Sequence, residues 1–294
     1  MSEPEVPSPK PAPYPAPPGY ALHQTRYGPM AAYPQDMYIG RSLAAYGEWC
    51  PAEMALLSQV LKPGDTVVDA GANIGAHTVP FSQKVGPNGT VFAIEMMPET
   101  ARLLAFNTLI NGCDNTRILN AGVASAEARI EMARIRTGGA FNFGGLSVAH
   151  MQKAKPGHGA VSVPLLPLDD MLRCTSLALI KADVEGHEAE LLRGAKGLIE
   201  THRPVLYLEA DHPESAEVLC GLLAGFGYAG YWHRAPLFSA GNWKENPTDI
   251  FGDVTCVNML CVPETRAVAG LTRATGPESH PKFRRLSRQD AEAE

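Results

Sequence analysis

The chain has 294 residues, is 45% hydrophobic and carries a formal net charge of -6, a balance that fits a globular fold with a sizeable core. Its acidity argues against a broad nucleic-acid footprint, which calls for a basic patch. No apolar run approaches the length of a membrane span, and the N-terminus shows neither a basic n-region nor an apolar h-region, so the expectation is a cytoplasmic protein.

The first twenty residues hold eight prolines and almost no aliphatic side chains. Residues 1–35 are therefore predicted to be a flexible Pro-rich tail, because such a composition cannot bury enough apolar area to offset its ordering entropy. From there to residue 263, apolar runs alternate with helical patterns, the signature of βαβ units. Strands are predicted at Thr66–Asp69, Thr90–Glu95 and Arg117–Asn120, with helices at Ala76–Val85 and Pro98–Ile110 between them. Residues 125–168 break the rhythm and are predicted as an antiparallel insertion. The rhythm resumes with strand Leu177–Ala182, helix Glu188–Glu200, strand Val205–Leu208 and helix Ser215–Ala224, and strands Tyr228–Trp232 and Val257–Val262 close the domain as an antiparallel edge pair. From 264 to 294 the polar composition predicts a solvated tail. The fold class is α/β, a doubly wound and mostly parallel sheet with helices on both faces.

Between the first strand and first helix, Val67-Val-Asp-Ala-Gly-Ala-Asn-Ile-Gly75 places glycines where the backbone can turn tightly at a helix start. The spacing is D-x-G-x-x-x-G rather than the G-x-G-x-x-G that admits a pyrophosphate. Asp69 would repel a pyrophosphate but suits a ligand bearing an amino group, and Glu95 at the end of the second strand can accept bonds from both ribose hydroxyls. Those features point to S-adenosyl-L-methionine, with a nicotinamide enzyme as the alternative.

With Asp69-Ala-Gly-Ala-Asn-Ile-Gly75, Pro167-Leu-Asp-Asp170, Ile180-Lys-Ala-Asp-Val-Glu-Gly-His-Glu188, Leu192-Arg-Gly-Ala195 and Arg203-Pro-Val-Leu-Tyr-Leu-Glu209 in one chain, the sequence resembles the FkbM family of S-adenosylmethionine-dependent methyltransferases. That resemblance implies a seven-stranded class I methyltransferase sheet of Rossmann-like type. It also implies cofactor contacts at Asp69, Gly71, Asn73, Gly75 and Glu95, and O-methylation of a hydroxyl on a sugar, glycan or secondary metabolite. Its D-V-E-G-x-E motif leaves the place of His187 open.

Methyl transfer to oxygen needs an in-line acceptor and help in removing its proton. Asp183 follows a central strand at the edge where open α/β sheets bind ligands, and is the leading catalytic candidate. Glu209, ending the next strand, could pair with it, and Glu185 is divided between catalysis and support of the next helix. Glu188 reads as a cap. His187 could face the acceptor or merely start a helix. Asn142 and Phe143, in the loop Thr137–Ser147, and Trp243 are candidate acceptor contacts, and Tyr231 or Trp232 could wall the same pocket or fill the core.

A Mg²⁺- or Ca²⁺-type cation could sit between Asp183 and Glu209, but no spacing demands one, and the metal is unassigned. Zinc is disfavoured because the histidines and the six widely spaced cysteines form no ligand cluster along the chain. The expected partner is a small-molecule or glycan substrate, with no nucleic acid and no membrane. N-methylation of an amine or peptide, and cofactor binding without turnover, are the competing readings.

Overall fold

The computed structural model describes residues 16–133 and 160–283. The chain opens with an antiparallel hairpin of β1 (Ala21–Thr25) and β2 (Gly28–Ala32), then α1 (Ile39–Tyr46) and α2 (Pro51–Val60). The alternating core follows: β3 (Thr66–Ala70), α3 (Thr78–Val85), β4 (Thr90–Ile94), α4 (Pro98–Ile110) and β5 (Thr116–Leu119). A small separate sheet contains β6 (Gly122–Val123), β7 (Ala128–Ala133) and β8 (Ala160–Leu166), with β7 antiparallel and β6 parallel to β8. A single turn, α5 (Leu168–Met171), leads to β9 (Leu179–Ala182), α6 (Glu188–Gly194), α7 (Lys196–His202), β10 (Val205–Glu209) and α8 (Pro213–Gly225). Strands β11 (Tyr228–Pro236), β12 (Thr255–Pro263) and β13 (Thr272–Arg273) complete it.

The main sheet runs β13-β11-β12-β10-β9-β3-β4-β5. Strands β5, β4, β3, β9 and β10 are mutually parallel, and β12 enters antiparallel between β10 and β11. This is the expected doubly wound sheet of seven strands, extended by the two-residue β13. Successive side chains on a strand point to opposite faces, so each central strand feeds two cores. Val68, Ile180 and Leu206 pack with Leu191, Leu192, Ile199 and Leu223 on one side, while Val67, Leu179 and Tyr207 meet Leu57, Phe81 and Val85 on the other. Chain order reverses between β3 and β9, which opens a crevice at their carboxyl ends.

Three expectations are corrected. The predicted tail 1–35 contains the β1–β2 hairpin, with Met30, Ala31, Ala32 and Tyr33 buried. Asn107 of α4 holds it: its Oδ1 accepts from the Ala31 amide at 2.7 Å and its Nδ2 donates to the Ala31 carbonyl at 2.9 Å. The predicted solvated tail 264–294 is ordered against the sheet as far as it is described. His280 is fully buried, its Nε2 is 2.6 Å from the Ala210 carbonyl, and its ring meets Trp232 edge-on. The single helix predicted for Glu188–Glu200 is two, broken at Ala195. Gly194, the last residue before the break, packs so closely on Ala124 that a Cβ would come within 2.1 Å of its carbonyl oxygen.

Candidate active site

The turn after β3 is built by backbone requirements. The Gly71 and Ala72 amides both donate to the Ile94 carbonyl, at 2.9 and 3.0 Å, which ties the turn to the end of β4. Gly71 has φ +74, and a Cβ there would stand 1.7 Å from the Asp183 carbonyl oxygen. The glycine therefore lets two strand ends pass each other, placing Asp183 against the turn. Gly75, at φ +93, faces Leu104 of α4 and supports the helix start from behind. Asn73 lies in the left-handed region at φ +49, and its amide donates to Glu95 Oε2 at 2.9 Å.

Glu95 is buried and its other oxygen accepts from the Met97 amide at 2.7 Å. Burial pushes its carboxyl up to about 7, with Asp69 and Asp183 adding to the rise, against the pull of these two amides. Asp69 is fully buried at the end of β3, where Thr78 Oγ1 donates to its Oδ2 at 2.6 Å. Its Oδ1 makes no aligned hydrogen bond but stands 3.4 Å from Lys181 Nζ, so the contact is chiefly one of charge.

Lys181 was absent from the sequence candidates and is central here. It lies in β9 with 2% exposure, and its ammonium is also 3.5 Å from Asp183 Oδ2. Burial opposes its charge, but Asp183, Asp69 and Glu53 outweigh that and raise its pKa. A lysine between Ile180 and Ala182 on a central strand cannot reach water, and that was the available signal.

After Asp183 the chain turns through Glu185 and Gly186, at φ +52 and +90. Glu188 clamps the turn: its Oε1 accepts from the Val184 amide at 3.0 Å and faces the Gly186 amide at 3.4 Å. The amides it holds belong to the turn before the helix rather than to the helix start, where a cap was expected. One oxygen each from Asp183, Glu185 and Glu209 lies within 4.8 Å of the others. Burial first, then the neighbouring Asp183, raises Glu185 to about 8 and lifts Glu209 well above the usual carboxylate range. These carboxylates share a cavity of about 330 Å³ with Gly71, Asn73, Glu95, Lys181 and His187.

The remaining candidates separate. Asp69 and Gly75 lie behind the cavity wall and shape it. Trp243 packs on Gly47 and its amide donates to Glu48 Oε1 at 3.1 Å, so its ring lies off the cavity. Trp232 belongs to the core, and Tyr231 packs partly buried on the opposite face. Asn142 and Phe143 lie outside the described residues.

Several residues in and beside the cavity were not among the candidates: His77 and Cys256 line it, and Glu53 lies against both. Glu53, from α2, is buried; its Oε1 accepts from Asn258 Nδ2 at 2.8 Å, and its Oε2 is 3.1 Å from His77 Nε2. Burial works against its charge, but His77, Lys181 and Asn258 together bring it below the ordinary carboxylate range. Cys50 and Cys256, remote in sequence, meet beside Glu53, a grouping that spacing along the chain does not show. Asp211 and Lys282, paired at 3.0 Å, edge the cavity mouth.

The Methyltransferase FkbM domain matches residues 69–231, more than half of the chain. The chain belongs to this family. A human tRNA (guanine(37)-N(1))-methyltransferase is 35% identical to this FkbM chain over 69 residues, covering 22% of the chain and 13% of the relative's own length. A methyltransferase FkbM structure from Methylobacillus flagellatus KT shows 17% identity and a TM-score of 0.45 over 71% of this chain and 47% of that one. A SAM-dependent methyltransferase from Aquifex aeolicus has 17% identity and a TM-score of 0.41, over 75% and 92%.

The residues around this turn fit S-adenosylmethionine as a cofactor. Gly71, Ala72 and Asn73 line the cavity with Glu95 beside them at the end of the second parallel strand. The Glu95 carboxylate is held from behind by the Asn73 and Met97 amides, leaving lone pairs for a ribose diol. Acidic groups around the turn suit the ammonium and sulfonium charges.

Proposed function

We propose that the protein transfers the methyl group of S-adenosylmethionine to a hydroxyl on a sugar, glycan or secondary metabolite. The carrying observation is the convergence of Asp183, Glu185 and Glu209 in one cavity with the Gly71–Asn73 turn. The bound cofactor supplies an electrophilic methyl and a neutral thioether leaving group.

Asp183 is anchored from behind by Lys181, which leaves Oδ1 to accept the acceptor hydroxyl's proton as the new C–O bond forms. The hydroxyl proton would pass to the Asp183 carboxylate. Glu185, held up to about 8, is protonated at neutral pH and donates a hydrogen bond to a neighbouring acceptor oxygen. Glu209 borders the same position from β10. A polyhydroxylated acceptor satisfies such a set of carboxyl groups, and a hydrocarbon does not. His187 lines the same cavity.

The test is incubation of the protein with methyl-labelled S-adenosylmethionine and cell extract, fractionated into glycans, small molecules, protein and RNA. Label in a hydroxyl-bearing glycan or small molecule is expected. Label confined to RNA, the substrate class in the human relative's name, would overturn the reading, and so would label confined to protein.

A further inference from the structure

Cys50 sits at the N-cap of α2 and Glu53 follows one turn later, its amide donating to the Cys50 carbonyl at 3.0 Å. From the sheet side, β12 contributes Cys256 and Asn258, two residues apart and therefore on one face. One donor atom from each of Cys50, Glu53 and Cys256 lies within 4.8 Å of the other two. Cys50 is fully buried, whereas Cys256 lines the cavity.

We propose that Cys50, Cys256 and Glu53 form a binding site for a thiophilic divalent cation of the zinc class, with its fourth position open to the cavity. Two sulfurs and one carboxylate oxygen make a three-ligand set, and tetrahedral coordination at Zn–S distances of about 2.3 Å places ligand atoms somewhat under 4 Å apart, within reach of the observed spacing. The carboxylate is already oriented. Asn258 Nδ2 donates to one oxygen at 2.8 Å and His77 approaches the other at 3.1 Å, leaving lone pairs for a metal.

Binding exchanges one divalent cation for two thiol protons, so two S–H bonds are replaced by two metal–sulfur bonds and the local charge does not change. That matters in a pocket already holding Lys181, Asp69 and Asp183. Affinity rises with pH because both thiols must lose their protons. The site joins the N-terminal segment to β12. It is distinct from the Asp183, Glu185 and Glu209 set, and independent of the methyl acceptor's identity.

The test uses the full chain kept reduced with a phosphine, titrated with Co²⁺ and then Zn²⁺. One equivalent of Co²⁺ is expected to bind with a near-ultraviolet thiolate-to-metal absorption band, which Zn²⁺ then removes. Cys256→Ser should abolish the band, and Glu53→Gln should weaken affinity at least about tenfold. In the unaltered chain, one equivalent of Zn²⁺ should slow alkylation of Cys256 at least about tenfold; this readout holds even where a variant fails to fold. Cobalt binding without the thiolate band, a band retained in Cys256→Ser, or alkylation unaffected by Zn²⁺ would each overturn the proposal.

Discussion

Lys181 Nζ lies 3.5 Å from Asp183 Oδ2 and 3.4 Å from Asp69 Oδ1, so one buried ammonium links the carboxylate at the end of β3 to the one just beyond β9. Removing one partner of a buried pair leaves the other charge uncompensated. Lys181→Met should therefore destabilise the protein by about 3–5 kcal/mol in urea unfolding. The double variant Lys181→Met, Asp69→Asn should recover a large part of that loss. A single variant as stable as the parent would show that the lysine is not the counter-ion.

Asp183→Asn keeps the shape of the side chain and removes its capacity to take a proton. Turnover should fall by about 10²–10⁴ for an oxygen acceptor. Binding of S-adenosylhomocysteine, measured by calorimetry, should change little. Equal losses in both would mean that the residue shapes the cofactor pocket.

Three buried or half-buried carboxyls set an unusual pH response. Glu95 and Glu188 are raised to about 7 and Glu185 to about 8, each chiefly by burial. Between their ordinary value and these, the folded chain binds more protons than the unfolded one, so stability falls as pH rises. His23, His233 and His280, lowered by burial, act in the opposite direction below their ordinary 6.5. The carboxyl effect is thus cleanest between pH 6.5 and 8, where it should cost on the order of 3 kcal/mol. Calorimetry should show Tm falling across that window, less steeply in Glu95→Gln. Affinity for S-adenosylhomocysteine should move the other way, since only ionised Glu95 accepts from both ribose hydroxyls. A flat affinity profile would remove Glu95 from that role.

The two motif glycines should separate in a substitution test. Gly71→Ala combines a positive φ with a 1.7 Å clash against the Asp183 backbone and should abolish both cofactor binding and activity. Gly75→Ala meets the tip of the flexible Leu104 side chain at 2.8 Å. It should cost about 1–3 kcal/mol of stability through its φ while keeping measurable cofactor affinity. Similar affinities for the two variants would contradict the division of labour described for the turn.

Much of the site is local in sequence and was legible there. Apolar period, turn glycines and acidic strand ends placed β3, β4 and the Asp69–Gly75 turn, because strand ends and helix starts impose their requirements within a few residues. The same locality identified Asp183, Glu185 and Glu209, which stand at or just beyond the ends of neighbouring parallel strands. Trp243 failed as a cavity residue because aromatic type says nothing about which side of a loop a ring covers.

The N-terminal hairpin was hidden by its Pro-rich surroundings. Its stability comes from Asn107, a long-range partner, and from the faces of α1 and α4. The buried anchor His280 was hidden in the same way, since only Ala210 and Trp232 make a polar tail residue part of the core.

The doubly wound sheet and its carboxyl-rich edge follow from periodicity and backbone chemistry that act over one turn or one strand, and so can be read along the chain. The bridge from Lys181 to Asp69 and Asp183, the meeting of Glu53 with His77 and Asn258, and the pairing of Cys50 with Cys256 arise on folding. These groups come from strands and helices far apart in the chain, and it is burial that forces their charges and thiols to find one another.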